Sequence, residues 1–208
     1  MILLFFQPVK DIDLELLKSY SKKLAQNIDN SGFKPDHVLF VERAGLLIGY
    51  FVADYFNCPI SGISTRRVGS SAKSRMKIVL RYLPRFITHF LRQLELNSSI
   101  HKIKNERHII TDYPLPSKEL NIILIDDAID TGYSVKAVVN YLLMKGYMRD
   151  KIKVAVITTT TIKPKFKADF SLFKEVICAF PWSYDSRQYK ETWLMYEKKR
   201  KLLCKIAR

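Results

Sequence analysis

The sequence predicts an α/β domain: a parallel central sheet flanked by helices, extended by a long helical insertion and a basic C-terminal helix. Three observations carry this. Apolar runs of strand length alternate along the chain with segments of helical periodicity, an order that implies right-handed βαβ units. The run Asn121–Ile125 goes directly into polar residues without the polar alternation of a half-exposed strand, as expected where a strand is covered on both faces. The chain has 208 residues, 48% of them hydrophobic and 12% aromatic, enough for one packed domain with embellishments.

The elements follow in order. Met1–Phe6 is apolar but short, with no basic leader and no small-residue cleavage site. It reads as a first strand or buried anchor rather than a signal peptide. Asp11–Asn30 reads as an amphipathic helix whose apolar side is Ile12, Leu14, Leu16, Leu17, Tyr20, Leu24 and Ile28. Asp36–Val41 is a short buried strand and Ala44–Phe56 the helix directly after it. Pro59–Ser64 is a second strand, Asn121–Ile125 a third, and Thr131–Lys145 a helix ended by Gly146. Lys153–Thr158 and Glu175–Ala179 complete the strands. Residues 1–208 are read as a single domain, with the insertion at about 66–116 and the C-terminal helix at about 186–208. Ligands of such sheets sit beyond the carboxyl ends of the strands.

Composition narrows the classes further. No internal repeat or low-complexity stretch is visible, and no apolar run approaches the roughly 20 residues of a membrane span. Cys58, Cys178 and Cys204 are odd in number and far apart, without a CxxC. That argues against a disulfide framework and a zinc site and suits a reducing cytoplasm. The net charge is +15 and unevenly placed: Ser64–Ile110 holds eleven Lys/Arg against two Glu, and Ser186–Arg208 eight against two. These two segments hold the whole excess and favour polyanions, nucleic acid among them. Solvated helix faces are the plainer reading of the C-terminal one.

Within the insertion, Ile78, Val79, Tyr82, Leu83, Phe86, Ile87, Phe90, Leu91 and Leu94 make one apolar helical stripe beside Arg81, Arg85 and Arg92, with Pro84 marking a kink or a start. Such a stripe covers the protein's own core, a second subunit or a membrane surface; a homodimer partner is the first choice. His89, His101 and His108 show no metal-ligand spacing.

The chemistry concentrates in Asn121-Ile-Ile-Leu-Ile-Asp126-Asp127-Ala-Ile-Asp130-Thr131-Gly132-Tyr133-Ser134. A buried strand ends in two adjacent acids, which can turn to one sugar edge and accept charge-assisted hydrogen bonds from ribose hydroxyls. The turn from Asp130 to Ser134 then opens a helix. Gly132 allows a left-handed backbone and close approach to a ligand. The backbone N–H groups, the Thr131 and Ser134 hydroxyls and the positive helix end together make an anion site. A Walker-type loop is excluded because Gly-Lys-Ser/Thr is absent, and an EF-hand because the acids do not alternate.

This segment resembles the signature of type I phosphoribosyltransferases. The resemblance implies 5-phosphoribosyl-1-pyrophosphate (PRPP) as donor. Asp126, Asp127 and Asp130 are the implied catalytic residues, with Mg²⁺ at Asp126 and Asp127. Asp130, Thr131, Gly132, Tyr133 and Ser134 are implied to bind the 5′-phosphate. The family's pyrophosphate loop follows the first sheet strand, where Arg43, Ala44 and Gly45 stand here; the preceding Glu42 departs from the pattern and would repel phosphate if it pointed inward. A loop between the second and third strands closes over the reaction in the family, so Arg66 and Arg67 join the pyrophosphate candidates, with Lys73 and Arg75 beside them.

Further on, Lys163-Pro164, Asp169-Phe170 and Phe180-Pro181-Trp182 occur in the order found in bacterial xanthine, guanine and hypoxanthine phosphoribosyltransferases. Lys163 would then contact the exocyclic oxygen of a 6-oxopurine, with Ile177 and Cys178 beside the base. The stacking position is aliphatic here, which opens the way to a different acceptor, and Phe180 and Trp182 read equally well as core. The implied activity is Mg²⁺-dependent transfer of phosphoribosyl to a purine-like base. Its rivals are a non-purine acceptor and a non-catalytic sensor or nucleic-acid-binding protein on the same fold.

Overall fold

The computed structural model describes residues 7–67, 107–111 and 113–206. The elements are β1 (Val9–Asp11), α1 (Leu14–Asn30), β2 (His37–Val41), α2 (Gly45–Phe56), β3 (Ile60–Arg67) and β4 (Arg107–Ile110). They continue with β5 (Ile122–Ile129), α3 (Tyr133–Met144), β6 (Ile152–Thr159), β7 (Phe170–Lys174), β8 (Ile177–Ala179) and α4 (Tyr189–Ile206). Six strands form one sheet in the order β4-β3-β2-β5-β6-β7, and β1 pairs with β8 in a separate two-stranded sheet. All pairings are parallel except that of β3 with β4. The α/β class with a mostly parallel, helix-flanked sheet is the one the sequence predicts.

The apolar runs are explained by the two faces of the sheet. Side chains alternate across a strand, so Ile123 and Ile125 of β5 pack with Phe40 and Ile157 under α1 and α2. Ile122 and Leu124 pack with Leu39 and Val154 under α3. Each such fully buried side chain contributes about 1.5–3 kcal/mol against leaving it in water. Helix α1 buries Leu17, Ser21, Leu24, Ala25 and Ile28 at helical spacing.

Several boundaries differ from the sequence reading, each for a local reason. The first helix starts at Leu14 because Asp13 caps it, accepting a hydrogen bond from Leu16 N–H at 2.8 Å; Asp11 belongs to β1. The third predicted strand does not stop at the acids. It runs on to Ile129, because β6 extends alongside it and pairs Ala128 with Thr158 and Ile129 with Thr159. The predicted fifth strand, Glu175–Ala179, shortens to β8, and a further strand that the sequence reading did not include precedes it. Phe170–Lys174 completes the main sheet, Glu175 takes φ 60°, and Ile177–Ala179 turns away to pair with β1. The predicted insertion at 66–116 begins in sheet and returns to it before its end: Arg66 and Arg67 finish β3, and β4 (Arg107–Ile110) runs antiparallel to it. The apolar stripe at 78–94 with its Arg81, Arg85, Arg92 and Pro84, together with Lys73, Arg75, His89, His101 and Met1–Phe6, lies outside the described residues. The basic C-terminal helix is present from Tyr189.

Candidate functional site

Strands β2 and β5 are parallel neighbours, with Phe40 opposite Ile125. Their carboxyl-end loops therefore emerge side by side. Between them lies a cavity of about 310 Å³, to which Arg43, Ala44, Asp126, Asp127, Asp130 and Thr131 contribute. Residues as far apart in the chain as Arg43 and Thr131 thus share one site.

The two adjacent acids are held by their own backbone. Asp126 Oδ1 accepts the N–H of Asp127 at 2.9 Å, and Asp127 Oδ1 accepts the N–H of Ala128 at 2.8 Å. Asp126 is only 7% exposed. Burial first, then the charge of Asp127, pushes its carboxyl well above the usual carboxylate range. Burial and then the charge of Asp130 push Asp127 up to about 6. Crowded acids facing a cavity favour whatever neutralises them: a proton, a cation or hydroxyl donors.

The turn after β5 is built for close approach. Gly132 sits at φ 79°, and a Cβ there would stand 2.8 Å from the backbone nitrogen of Phe166. Thr131 C=O accepts Lys165 N–H at 2.8 Å, which ties this turn to the loop after β6. Asp130 is aimed by Thr160, whose hydroxyl donates to Asp130 Oδ1 at 2.7 Å and whose N–H donates to Ile129 C=O at 3.0 Å. Helix α3 then begins at Tyr133 with no side chain capping it. Its first-turn amides and positive end are left for a ligand. Ser134 lines the cavity with Thr131; Tyr133 is half-buried beside them.

The second loop reaches the same cavity differently. Arg43 is exposed and takes φ 80°, a left-handed conformation in a non-glycine residue. Helix α2 starts at Gly45, again with no side-chain cap. A Cβ at Gly45 would stand 2.6 Å from Ile125 C=O, so only glycine lets α2 sit this close to β5. Glu42 is itself among the residues that line the cavity, and its carboxylate is engaged by the protein: Ser64 Oγ donates to its Oε2 at 2.7 Å, and Arg200 Nε lies 3.6 Å from its Oε1. The charge of Arg200 offsets the repulsion this glutamate threatened on sequence grounds.

The remaining predicted residues are less gathered. Arg66 and Arg67 close β3, and their side chains lie outside the described atoms. Lys163 is exposed on the loop between Thr160 and Lys165, the segment stitched to the phosphate turn. Ile177 and Cys178 are buried in β8, 6% and 7% exposed, and the structure does not bring them into the cavity between the loops. Phe180 and Trp182 stack with centroids 4.8 Å apart against the core. Asp169 sits at the amino end of β7, where its carboxylate accepts Val154 N–H at 2.8 Å, near Lys153 and Arg149. Thr65 of β3 lines the cavity and Thr160 aims Asp130; sequence reasoning missed both. The run Thr158-Thr159-Thr160-Thr161 at a predicted strand end was the available signal for the second.

Three aspartates and two uncapped helix starts thus gather at the carboxyl ends of parallel strands, an arrangement suited to an anion and to hydroxyl donors. A family model described as the phosphoribosyl transferase domain matches residues 13–188. The chain belongs to the phosphoribosyltransferase family, a family of transferases. No curated protein matches it. Among solved structures it is similar to a xanthine-guanine-hypoxanthine phosphoribosyltransferase from Helicobacter pylori, at 18% identity, 88% of this chain, 99% of that one and TM-score 0.61. It is also similar to a purine phosphoribosyltransferase from Pyrococcus horikoshii Ot3, at 16% identity, 84% and 94% coverage and TM-score 0.59. A hypothetical protein from Neisseria gonorrhoeae with bound ppGpp matches at 17% identity, 92% and 97% coverage and TM-score 0.61. Identities this low establish a shared fold. Among the described residues, no helix is long and apolar enough to cross a membrane.

Proposed function

We propose that this protein transfers the phosphoribosyl group of PRPP to a purine-like base and releases pyrophosphate. The observation that carries this reading is the convergence of two uncapped helix starts and three aspartates on one cavity. In this reading the amides of Thr131–Ser134 and the two hydroxyls bind the 5′-phosphate. The Arg43–Gly45 loop binds the pyrophosphate, with Arg66 and Arg67 joining it. Asp126 and Asp127 accept hydrogen bonds from the ribose, and Asp130, oriented by Thr160, faces the incoming base as its proton acceptor or N7 partner. Lys163, exposed on the loop after β6, stands on the base side; Ile177 and Cys178, buried in β8, are left out of it. Purine enzymes among the similar structures support this acceptor class.

Among the described residues, no group of three or more His, Cys, Asp or Glu is placed to hold a metal. A pair of acids nevertheless fits Mg²⁺, which is commonly bound through one or two carboxylates plus substrate oxygens. Asp126 and Asp127 are the residues that would hold it, and it would supply positive charge between the ribose hydroxyls and the departing pyrophosphate. A cytoplasmic homodimer belongs to the same reading.

The test is incubation with Mg²⁺, PRPP and a panel of purine and non-purine bases, following pyrophosphate release. Turnover with a 6-oxopurine is expected. Turnover only with a non-purine would move the acceptor, and no turnover with any base would overturn the catalytic reading. Replacing Asp126 and Asp127 together by Asn should abolish turnover and leave the far-UV spectrum intact; retained activity would refute their role. The net charge of +15 favours one alternative, a non-catalytic nucleic-acid-binding member of the family. Salt-sensitive RNA or DNA binding would support it, and lack of binding at low salt would remove it.

A further inference from the structure

The exposed arginine of the pyrophosphate loop sits in a backbone conformation that the loop itself does not favour. For an L-residue other than glycine, a left-handed φ is unfavourable and persists only where surrounding structure over-determines it. At Arg43, φ is 80°. The determinants converge from the far end of the chain. Tyr196 of α4 is 6% exposed; burial pushes its phenol up, and the backbone of Arg43 beside it acts the other way. One turn on, Arg200 Nε faces Glu42 Oε1 at 3.6 Å, both atoms shut off from solvent. Glu42 is fixed from the other side by Ser64, at 2.7 Å. The residue just before the φ 80° position is therefore tied by its side chain to α4 and β3.

Helix α4 is itself anchored. Gln188 Oε1 accepts Leu14 N–H at 2.9 Å, and Thr192 Oγ1 donates to Gln188 C=O at 2.7 Å. Trp193 packs on Tyr196 with ring centroids 4.8 Å apart. At the other end, Cys204 Sγ lies 3.5 Å from Tyr113 Oη, the buried ring that packs edge-on against Phe40 of β2. The clamp thus connects the strand before the loop, the loop, and the C-terminal helix.

We infer that Tyr196 and Arg200 are positioning residues for pyrophosphate: they hold Glu42 and Arg43 in the left-handed turn that presents the Arg43–Gly45 loop to the cavity. This rests on the phosphoribosyltransferase reading of that cavity. It assigns the basic C-terminal helix a role beyond solubility, through two of its inward side chains rather than its exposed lysines. Neither residue touches the cavity, so their loss should weaken one half of the ligand and spare the other.

The experiment separates the two halves. Inorganic pyrophosphate with Mg²⁺ probes the Arg43 loop, and ribose 5-phosphate probes the Thr131–Ser134 turn; both are titrated into wild type, Tyr196→Phe, Arg200→Met and Arg200→Lys by calorimetry. Tyr196→Phe and Arg200→Met are expected to weaken pyrophosphate by about tenfold, the scale of releasing one left-handed residue. Ribose 5-phosphate should be unchanged, and Arg200→Lys should recover part of the loss. Equal pyrophosphate affinity in wild type and Arg200→Met, or equal weakening of both ligands, overturns the inference. If Arg200→Met fails to fold, Ser64→Ala, which removes the other hold on Glu42, takes its place with the same expected and overturning results. Wild-type protein that binds neither ligand would instead overturn the function on which the inference rests.

Discussion

The two loops that meet at the cavity perform the same task with opposite materials. The turn after β5 takes its left-handed residue at Gly132, φ 79°, and the loop after β2 takes its own at Arg43, φ 80°. Glycine adopts that conformation at little steric cost, so the first loop is formed largely by its own sequence and by the tie to Lys165. Arginine does not, and the second loop depends on Ser64, Tyr196 and Arg200. The first loop is therefore locally encoded and the second is held in tertiary fashion. In exchange, a positive charge stands where glycine would leave none.

Breaking the locally encoded loop should have the largest effect. Gly132→Ala combines a disfavoured φ with a Cβ 2.8 Å from Phe166 N. Ribose 5-phosphate affinity should fall by about a hundredfold or more, measured by titration; affinity within threefold of wild type would mean the turn is not the phosphate cradle.

The acids between the loops give the next effect, through pH. Asp127 rises from an ordinary 3.8 to about 6. A carboxyl raised in the folded state is disfavoured as an anion, so the unliganded fold loses stability as pH rises from about 4 to about 6, and the loss is constant above. Asp127→Asn should remove that penalty at pH 7, raising Tm by a few degrees. The two proteins should melt alike near pH 3.5. Affinity for Mg²⁺ with PRPP should run the other way in wild type, weakening as pH falls through 6. A Tm difference that does not change with pH would contradict the assignment.

Smaller again is the loss of aim at Asp130. Thr160→Val keeps the shape of the side chain and removes the donor to Asp130 Oδ1. About tenfold in kcat is expected, the scale of one hydrogen bond to a charged group, with the KM for PRPP nearly unchanged. A change confined to KM would place Thr160 in binding instead.

The finest test sharpens the contrast at Arg43 itself. Arg43→Gly and Arg43→Ala should weaken pyrophosphate alike, because both remove the charge. Arg43→Gly should be the more stable by about 1 kcal/mol in chemical denaturation, because only alanine retains the left-handed cost. Equal stabilities would show that φ at this position is not under strain.

The same contrast explains what could be read from the chain alone. The Asp126–Ser134 motif was legible because strand, acids, glycine and helix start are contiguous, and local chemistry fixes their relation. The β2–α2 loop was legible in place, but not in support, since nothing near Arg43 in sequence points to Tyr196 or Arg200. The strand through Asp126 was cut short because its last pairs, Ala128–Thr158 and Ile129–Thr159, depend on the length of β6. Likewise Phe170–Lys174 was not read as a strand, because its strand state rests on pairing with β6. Strand β8 was legible within Glu175–Ala179, whereas β1, three residues long, carries too little periodicity to be recognised without its partner.

The antiparallel strand at the sheet edge has a practical consequence. Arg67 stands opposite Arg107 in the register of β3 with β4, so the chain departs from and returns to the sheet at adjoining positions. Those two arginines form a natural splice point. Joining them through a two-residue Asn-Gly turn, whose twist suits antiparallel strands, would give a trimmed protein with its six-stranded sheet intact. That protein would separate what the core contributes to ligand recognition from what the excised stretch adds.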